Sequence, residues 1–236
     1  FFNAWEMKGK FPDILNNPTT GETARALYDD AQAMLDKVIA EKWLTASGVI
    51  GFWPANGDGD DIRLFIDDTR AKPLATLHTL RQQIARDNKG PGGKTRAHTA
   101  LSDFIAPVSS KKPDYIGGFA VTTGIGEEAA LERHFKKADD YGRIIFKALA
   151  DRLAEAFAEA MHARVRREFW GYAPAESMRS DELIAEQYRG IRPAPGYPAC
   201  PDHTEKAKLW SLLGADAAIG LELTESFAMV PTAAVS

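Results

Sequence analysis

The stretch GVIGFWPANGDGDDIRLFID, residues 48–67, decides the fold. Two apolar runs flank a turn rich in Gly, Asn and Asp, and this pattern predicts a β-hairpin of two antiparallel strands. A second buried strand is predicted at PDYIGGFAVTTG, residues 113–124, where paired glycines allow close backbone approach. Strands and helices do not alternate as a βαβ series, so we expect an α+β fold in a single domain. Its twisted antiparallel or mixed sheet would be flanked by long helices, without a Rossmann core.

Two long helices are predicted on either side of these strands. Residues 17–43 have apolar side chains at helical period, and Thr19 and Glu22 have the spacing of a capping box. Residues 139–170 predict the longest helix, with many alanines suited to close packing. Its apolar stripe consists of Phe146, Leu149, Leu153, Phe157 and Met161.

The last third of the chain predicts two shorter helices and a final strand. Residues 180–188 predict a helix capped by Ser180, and residues 203–214 predict one closed by Gly214. Residues 219–230 predict a strand. A loop rich in Gly, Lys and Asn runs from Asp87 to Thr99, and we assign it no role.

Composition excludes several classes of function. The 29 basic and 33 acidic residues give a net charge of -4, and no Lys/Arg block points to nucleic acid. One cysteine excludes an internal disulfide framework and fits the cytoplasm, and no apolar run reaches the ~18 residues that span a membrane. The aromatic start and the strand-like end predict that residues 1–236 are a fragment of a longer multidomain chain, truncated at both ends.

Two glycine-containing motifs have plain interpretations. In NGDGDD the oxygens of Asn56, Asp58 and Asp60 alternate as in a calcium loop, but Asp61 stands where such a loop has Gly. We interpret it as a hairpin turn with solvated acids. The pair Gly124 and Gly126 lacks the third glycine and the βαβ context of a dinucleotide site, and predicts a turn. A Rossmann-type methyltransferase built on this pair is the third hypothesis for the chain.

The histidines, the cysteine and a row of acidic residues are candidates for a functional site, and the sequence leaves the role of the last two open. The five histidines show no metal-ligand spacing: His78, His98, His134, His162 and His203. Cys200 lies three residues before His203. Either the two form a nucleophilic Cys-His pair, or Cys200 is a small residue packed between prolines. Asp151, Glu155 and Glu159 follow one another at four-residue spacing on the long helix. They form either a solvated face or an acidic wall for a cationic ligand.

The stretch GIRPAPGYPACPDH, Gly190 to His203, is named the proline ribbon here. Its four prolines restrict φ and bias the preceding residues toward extended backbone, so we expect a stiff frame. The guanidinium of Arg192 fits a carboxylate or phosphate, and the amides of Ala194, Gly196 and Tyr197 can donate to a ligand. The alternative is that Arg192 pairs with a structural acid such as Glu186.

The proline ribbon, extended to GIRPAPGYPACPDHTEK, closely resembles the signature of the activation domain of cobalamin-dependent methionine synthase. The resemblance covers the whole chain and includes GKFPDIL, DYIGGFAVT, KALADRLAEAFAE, WGYAP and LTESFAM. It implies a domain that binds S-adenosylmethionine and caps the cobalamin of a neighbouring domain for reductive methylation. The electron would come from flavodoxin or a related reductase, in methionine biosynthesis. Zinc would belong only to the homocysteine domain of the parent methyltransferase.

The resemblance also assigns site residues. It implies that Arg192 holds the carboxylate of S-adenosylmethionine and that Ala194, Gly196 and Tyr197 line the ligand, with Tyr197 near the cobalamin face. Glu155 is assigned to the same pocket. Asp151 and Glu127 are expected to meet the histidine of the cobalamin domain. No catalytic acid, base or metal is implied, because the chemistry is mostly positioning.

A second hypothesis belongs to another class. The chain would be a protein-docking module that recognises the cobalamin domain and a flavodoxin-type reductase, without binding a small molecule in this fragment. A variant at Arg192 that keeps partner binding would favour this hypothesis.

Overall fold

A computed structural model describes residues 1–84 and 97–236. Most of the loop predicted from Asp87 to Thr99 lies outside the described residues. The helices are α1 (Gly21–Ala40), α2 (Glu127–His134), α3 (Asp140–Arg164), α4 (Ser180–Ile184), α5 (Glu205–Leu213) and α6 (Ala215–Ile219). The strands are β1 (Thr45–Asp58), β2 (Asp61–Phe65), β3 (Pro73–His78), β4 (Asp114–Ile125), β5 (Glu222–Leu223), β6 (Met229–Val230) and β7 (Ala234–Val235).

Five strands form one sheet in the order β3-β2-β1-β4-β7, and β5 and β6 form a separate pair. The pairs β1–β2, β2–β3 and β4–β7 are antiparallel. The predicted hairpin is confirmed, because Asp58 lies opposite Asp61 across a turn in which Gly59 has a φ of 65°. The α+β fold with an antiparallel sheet is therefore confirmed, and the Rossmann-type methyltransferase hypothesis is wrong.

The chain divides into two compact units. Unit 1 comprises residues 1–48, 121–161 and 229–235, and unit 2 comprises residues 49–120, 162–228 and 236. The core of unit 1 is formed by buried side chains of α1, α2 and α3: Leu27, Ala31, Val38, Ala130, Leu131, Ile145, Phe146 and Leu149. The small residues Ala150 and Ala154 of α3 pack with Ala233, as the alanine-rich sequence of this helix predicts.

The core of unit 2 is built on the hairpin. Ile62 and Leu64 are fully buried, and the intervening Arg63 is exposed, because successive side chains of a strand point to opposite faces. They pack with Ala55 and with partly buried side chains around it: Trp53, Leu77, Leu101, Ile105, Ile116 and Leu212. This core holds α5 and the unit 2 part of β4, residues 114–120, in place, and both line the cavity described below.

Two predicted helix starts are wrong. The N-cap of α1 is Thr20 rather than Thr19, and its side chain makes no capping bond. The side chain of Asn17 accepts instead from the amides of Thr19 and Thr20. Ser180 is the first residue of α4 rather than its cap, because the carboxylate of Glu182 accepts from the backbone amide of Arg179.

Two later elements also differ from the predictions. The strand predicted over residues 219–230 is two strands of two residues, β5 and β6, joined by a turn in which the Phe227 amide donates to the Thr224 carbonyl. The long helix reaches its predicted end, but Val165–Phe169 form a π-helical turn. The helix closed by Gly214 is confirmed, with a φ of 58° at that glycine. No helix within residues 1–84 and 97–236 is long and apolar enough to cross a membrane.

Candidate functional site

The proline ribbon is held by its own backbone. It begins at Gly190, where φ is 109°, and closes in a turn at Gly196, where φ is 101°. The amide of Gly196 donates to the Cys200 carbonyl at 2.8 Å, and the amide of Tyr197 donates to the Ala194 carbonyl at 3.1 Å. Both amides therefore donate within the turn, and the predicted roles of Gly196 and Tyr197 toward a ligand stay predictions.

The proline ribbon forms one side of a cavity of about 700 Å³ in unit 2. The ribbon contributes Gly190, Ile191, Arg192, Pro193, Pro195 and Cys200 to the lining, and the preceding residue, Arg189, lines the cavity as well. Of the ribbon residues predicted to contact the ligand, Arg192 lines the cavity. Within the described residues, the lining does not include Ala194, Gly196 or Tyr197. Tyr197 is 62% exposed.

Three aromatic rings, named the aromatic wall here, line the same cavity: Phe52, Trp170 and Tyr172. The Phe52 and Trp170 ring centroids lie 5.2 Å apart, and those of Trp170 and Tyr172 lie 5.7 Å apart, both edge to face. The Tyr172 hydroxyl donates to the Arg189 carbonyl and so joins the wall to the start of the ribbon. Sequence reasoning missed these rings, although WGYAP contains two of them.

Glycines of β4 allow the cavity to reach the sheet. A Cβ at Gly118 would lie 2.7 Å from the side chain of Leu209, and one at Gly117 would lie 3.1 Å from Phe52. Both glycines line the cavity. The groups that approach these two glycines are side chains: a Cβ at Gly117 would meet the aromatic wall, and one at Gly118 would meet Leu209 and Trp53.

A buried ion pair connects the end of the long helix to the segment that follows it. The guanidinium of Arg166, fully buried in the π-helical turn, donates to both carboxylate oxygens of Glu176 at 2.6 to 3.1 Å. The same guanidinium lies 4.1 Å from the Tyr188 ring centroid. Single π-helical turns are frequent at functional sites, and the first residue of this one, Val165, lines the cavity.

Cys200 and Glu205 line the cavity without being free to react. The Glu205 carboxylate accepts from the His78 amide and from the Lys208 ammonium at 2.8 Å. Burial and the charge of Glu205 raise the pKa of the Cys200 thiol to about 11. The thiol is therefore protonated at neutral pH, which favours the packed cysteine over the nucleophilic pair with His203.

The predicted acidic residues lie in unit 1. Glu127, the first residue of α2, is buried, and its carboxylate lies 3.9 Å from the Lys147 ammonium. Burial raises its pKa, with further raising by the charges of Glu128 and Asp151. Asp151 and Glu155 are exposed on α3. The structure thus brings Glu127 and Asp151 close enough to interact, while the roles of all three acids stay predictions.

The acids of NGDGDD contact basic side chains. Arg63 pairs with Asp58, Arg81 pairs with Asp60 at 2.7 Å, and His78 contacts Asp61 at 2.9 Å. The hairpin-turn interpretation is confirmed, with ion pairs in place of purely solvated acids. In the described part of the chain, no three His, Cys, Asp or Glu side chains are grouped to hold a metal ion.

Comparison with known proteins agrees with this architecture. The model of the family described as vitamin B12 dependent methionine synthase, activation domain, matches residues 1–236. A crystal structure of the MetH reactivation domain bound to AdoHcy superposes with a TM-score of 0.88 at 51% sequence identity. The match covers 100% of this chain and 70% of that chain. The chain therefore belongs to the family of vitamin B12-dependent methionine synthase activation domains.

Proposed function

We propose that the chain binds S-adenosylmethionine or S-adenosylhomocysteine in the cavity of unit 2 and serves to reactivate methionine synthase. Family membership and the AdoHcy bound to the similar reactivation domain support this proposal. The observation that carries it is the position of Arg192, on a stiff ribbon at the edge of an aromatic cavity.

The cavity suits the ligand in size and polarity. Its volume of about 700 Å³ lies inside the roughly 300–1,000 Å³ typical of small-molecule sites. The guanidinium of Arg192 offers a planar pair of donors to the ligand carboxylate. Because the prolines have already ordered the ribbon, binding costs little conformational entropy there.

The aromatic wall suits the other two parts of the ligand. The rings of Phe52, Trp170 and Tyr172 can pack against adenine, and their faces attract a sulfonium cation. Glu205 is a poorer partner for that cation, because Lys208 already neutralises it. A role for Glu155 in binding S-adenosylmethionine stays a proposal that rests on the resemblance alone.

When bound, S-adenosylmethionine would supply an electrophilic methyl group to reduced cobalamin held by a neighbouring domain, leaving S-adenosylhomocysteine as its S–CH3 bond breaks, and a flavodoxin-type reductase would supply the electron that reduces the cobalamin. The residues of this chain bind and orient the sulfonium and exclude water from it. No side chain needs to donate or remove a proton. The thiol of Cys200 is protonated at neutral pH and is therefore a weak nucleophile, so it does not compete with cobalamin for the methyl group.

Contacts with the cobalamin domain are proposed for Tyr197, Asp151 and Glu127. The exposed ring of Tyr197 is accessible to a partner, and Asp151 is an exposed carboxylate beside the buried Glu127. We place this work in cytoplasmic methionine biosynthesis, with the whole of residues 1–236 acting as one domain of a longer enzyme. A docking module without ligand binding is the second candidate, favoured by the same exposed ring and acids.

Calorimetric titration of S-adenosylhomocysteine into this chain tests the proposal. We expect saturable binding by the unaltered chain and at least tenfold weaker binding by Arg192→Ala, since a charge-assisted pair is lost. Arg179→Ala is the matched control, because Arg179 is an exposed arginine that pairs with Asp181. Equal binding by both variants would contradict the role of Arg192, and no binding by any chain would favour the docking module.

A further inference from the structure

His162 is the buried titratable group of the cavity that the proposed function leaves unused. It lies on α3, is only 5% exposed, and lines the cavity in unit 2. Its ring meets the Tyr188 ring edge to face, with the centroids 4.8 Å apart. The guanidinium groups of Arg166 and Arg192 both act on it electrostatically.

The imidazole of His162 is neutral at physiological pH. Burial lowers its pKa, the charges of Arg166 and Arg192 lower it further, and Glu176 opposes them only in part, giving a pKa of about 4. A neutral imidazole has one nitrogen that donates and one that accepts a hydrogen bond. The hydrogen-bonding partner of one nitrogen decides which of the two carries the proton.

The surroundings of His162 indicate which nitrogen faces a ligand. Nδ1 is fully buried and has no hydrogen-bond partner among the described residues, so a molecule in the cavity reaches the opposite edge of the ring, at Nε2. Arg166, four residues later on the same helical stretch, has a buried Nη1 that also has no partner in the described chain. A buried N–H without an acceptor is rarer in proteins than a buried acceptor without a donor, so Nδ1 is favoured as the unprotonated nitrogen and the proton belongs on Nε2.

We propose that His162 is a specificity residue of the cavity, whose Nε2–H donates to the carboxylate of the adenosyl amino acid that Arg192 pairs with. This inference rests on the proposed function. His162 and Arg192 line the same cavity and interact electrostatically, so a carboxylate that pairs with Arg192 is within reach of the imidazole, and a neutral donor there adds direction to the charge of Arg192. His162 would thereby distinguish adenosyl amino acids from nucleosides that lack a carboxylate.

Two ligands separate this role from simple packing. S-Adenosylhomocysteine carries the carboxylate, and 5′-methylthioadenosine keeps the adenosyl thioether without it. We expect His162→Phe to weaken S-adenosylhomocysteine about 10-fold or more, the effect of one hydrogen bond to a charged group. Its affinity for 5′-methylthioadenosine should change less than about twofold. His162→Gln, whose amide can place a donor near the Nε2 position, should retain most of the affinity for S-adenosylhomocysteine.

The outcomes separate this inference from the proposed function. If the unaltered chain binds neither ligand, the proposed function fails. If the unaltered chain binds both and His162→Phe loses both equally, or loses neither, the specificity role is overturned while the proposed function stands.

Nitrogen-15 NMR of histidine in the unaltered chain gives a second test that needs no variant. The inference requires the His162 proton on Nε2, and an Nε2 shift that changes with S-adenosylhomocysteine more than with 5′-methylthioadenosine. A proton on Nδ1, or equal changes with the two ligands, would contradict it.

Discussion

Arg166 and Glu176 form a buried ion pair, with the guanidinium Nη2 and a carboxylate oxygen 2.6 Å apart. Their side chains are 0% and 7% exposed, so both charges are held away from water. The pair joins the π-helical turn to the segment that follows it, and Tyr188 covers the guanidinium. The hydrogen bonds from Arg166 lower the pKa of Glu176 and keep its carboxylate charged.

Removing one charge of this pair should strongly destabilise unit 2. We expect Glu176→Gln to lower the free energy of unfolding by about 3 kcal/mol or more, because it leaves the Arg166 charge buried without compensation. Urea denaturation measures the change. Asp181→Asn, which removes an exposed partner of Arg179, is the control and should cost less than about 1 kcal/mol. Similar losses for the two variants would contradict the account of a buried pair.

The buried His162 predicts a specific pH dependence of stability. Its folded pKa of about 4 lies below the unfolded value of 6.5, so the unfolded chain binds more protons between these values. Its contribution to stability is therefore lost as pH falls from about 6.5 toward 4.

Comparison with His162→Gln isolates this contribution. The stability advantage of the unaltered chain over the variant should fall by about 2 kcal/mol between pH 7 and pH 5. Urea denaturation of both chains at the two pH values measures this, and other titrating groups such as Glu127 cancel in the comparison. A difference that is independent of pH would show that His162 titrates normally.

The pKa of Glu127 in unit 1 should depend on the charge of Asp151. Burial raises the pKa of Glu127, and the charges of Glu128 and Asp151 raise it further. Asp151→Asn should therefore lower the Glu127 pKa, as followed by carbon-13 NMR of its carboxyl group. Glu155→Gln, one turn further along α3, is the matched control and should leave it unchanged. A larger response to Glu155→Gln than to Asp151→Asn would refute the coupling.

The turn that closes the proline ribbon predicts an intolerance to side chains. Gly196→Ala would place a Cβ 2.1 Å from the His203 ring in a backbone with a φ of 101°. We expect a loss of more than about 2 kcal/mol and weaker ligand binding, because steric strain adds to backbone strain. Gly59→Ala has a φ of 65° and no atom within 4 Å, and should cost only about 1 kcal/mol. Equal costs, measured by urea denaturation, would show that the ribbon can relax.

Much of the fold could be predicted because the deciding signals are local. The alternation of Ile62, Arg63 and Leu64 reports a half-buried strand, and the glycines and acids before them report a turn. The helix start at Thr20 could not be predicted in the same way, since the Asn17 side chain accepts from the amides of Thr19 and Thr20, and the spacing of Thr19 and Glu22 does not reveal this turn.

The candidate site was predictable only at Arg192, whose proline neighbours mark it in the sequence. The aromatic wall joins Phe52 to Trp170 across more than a hundred residues, and no sequence spacing encodes that contact. The ion pair of Arg166 and Glu176 depends on a π-helical turn that the apolar period of α3 does not reveal.

A crystal structure of this chain with S-adenosylhomocysteine tests the central claim most directly. The account predicts the ligand in the cavity of unit 2, its adenine against the aromatic wall and its carboxylate within hydrogen-bond distance of Arg192. Ligand bound elsewhere, or a carboxylate turned away from Arg192 and His162, would contradict it.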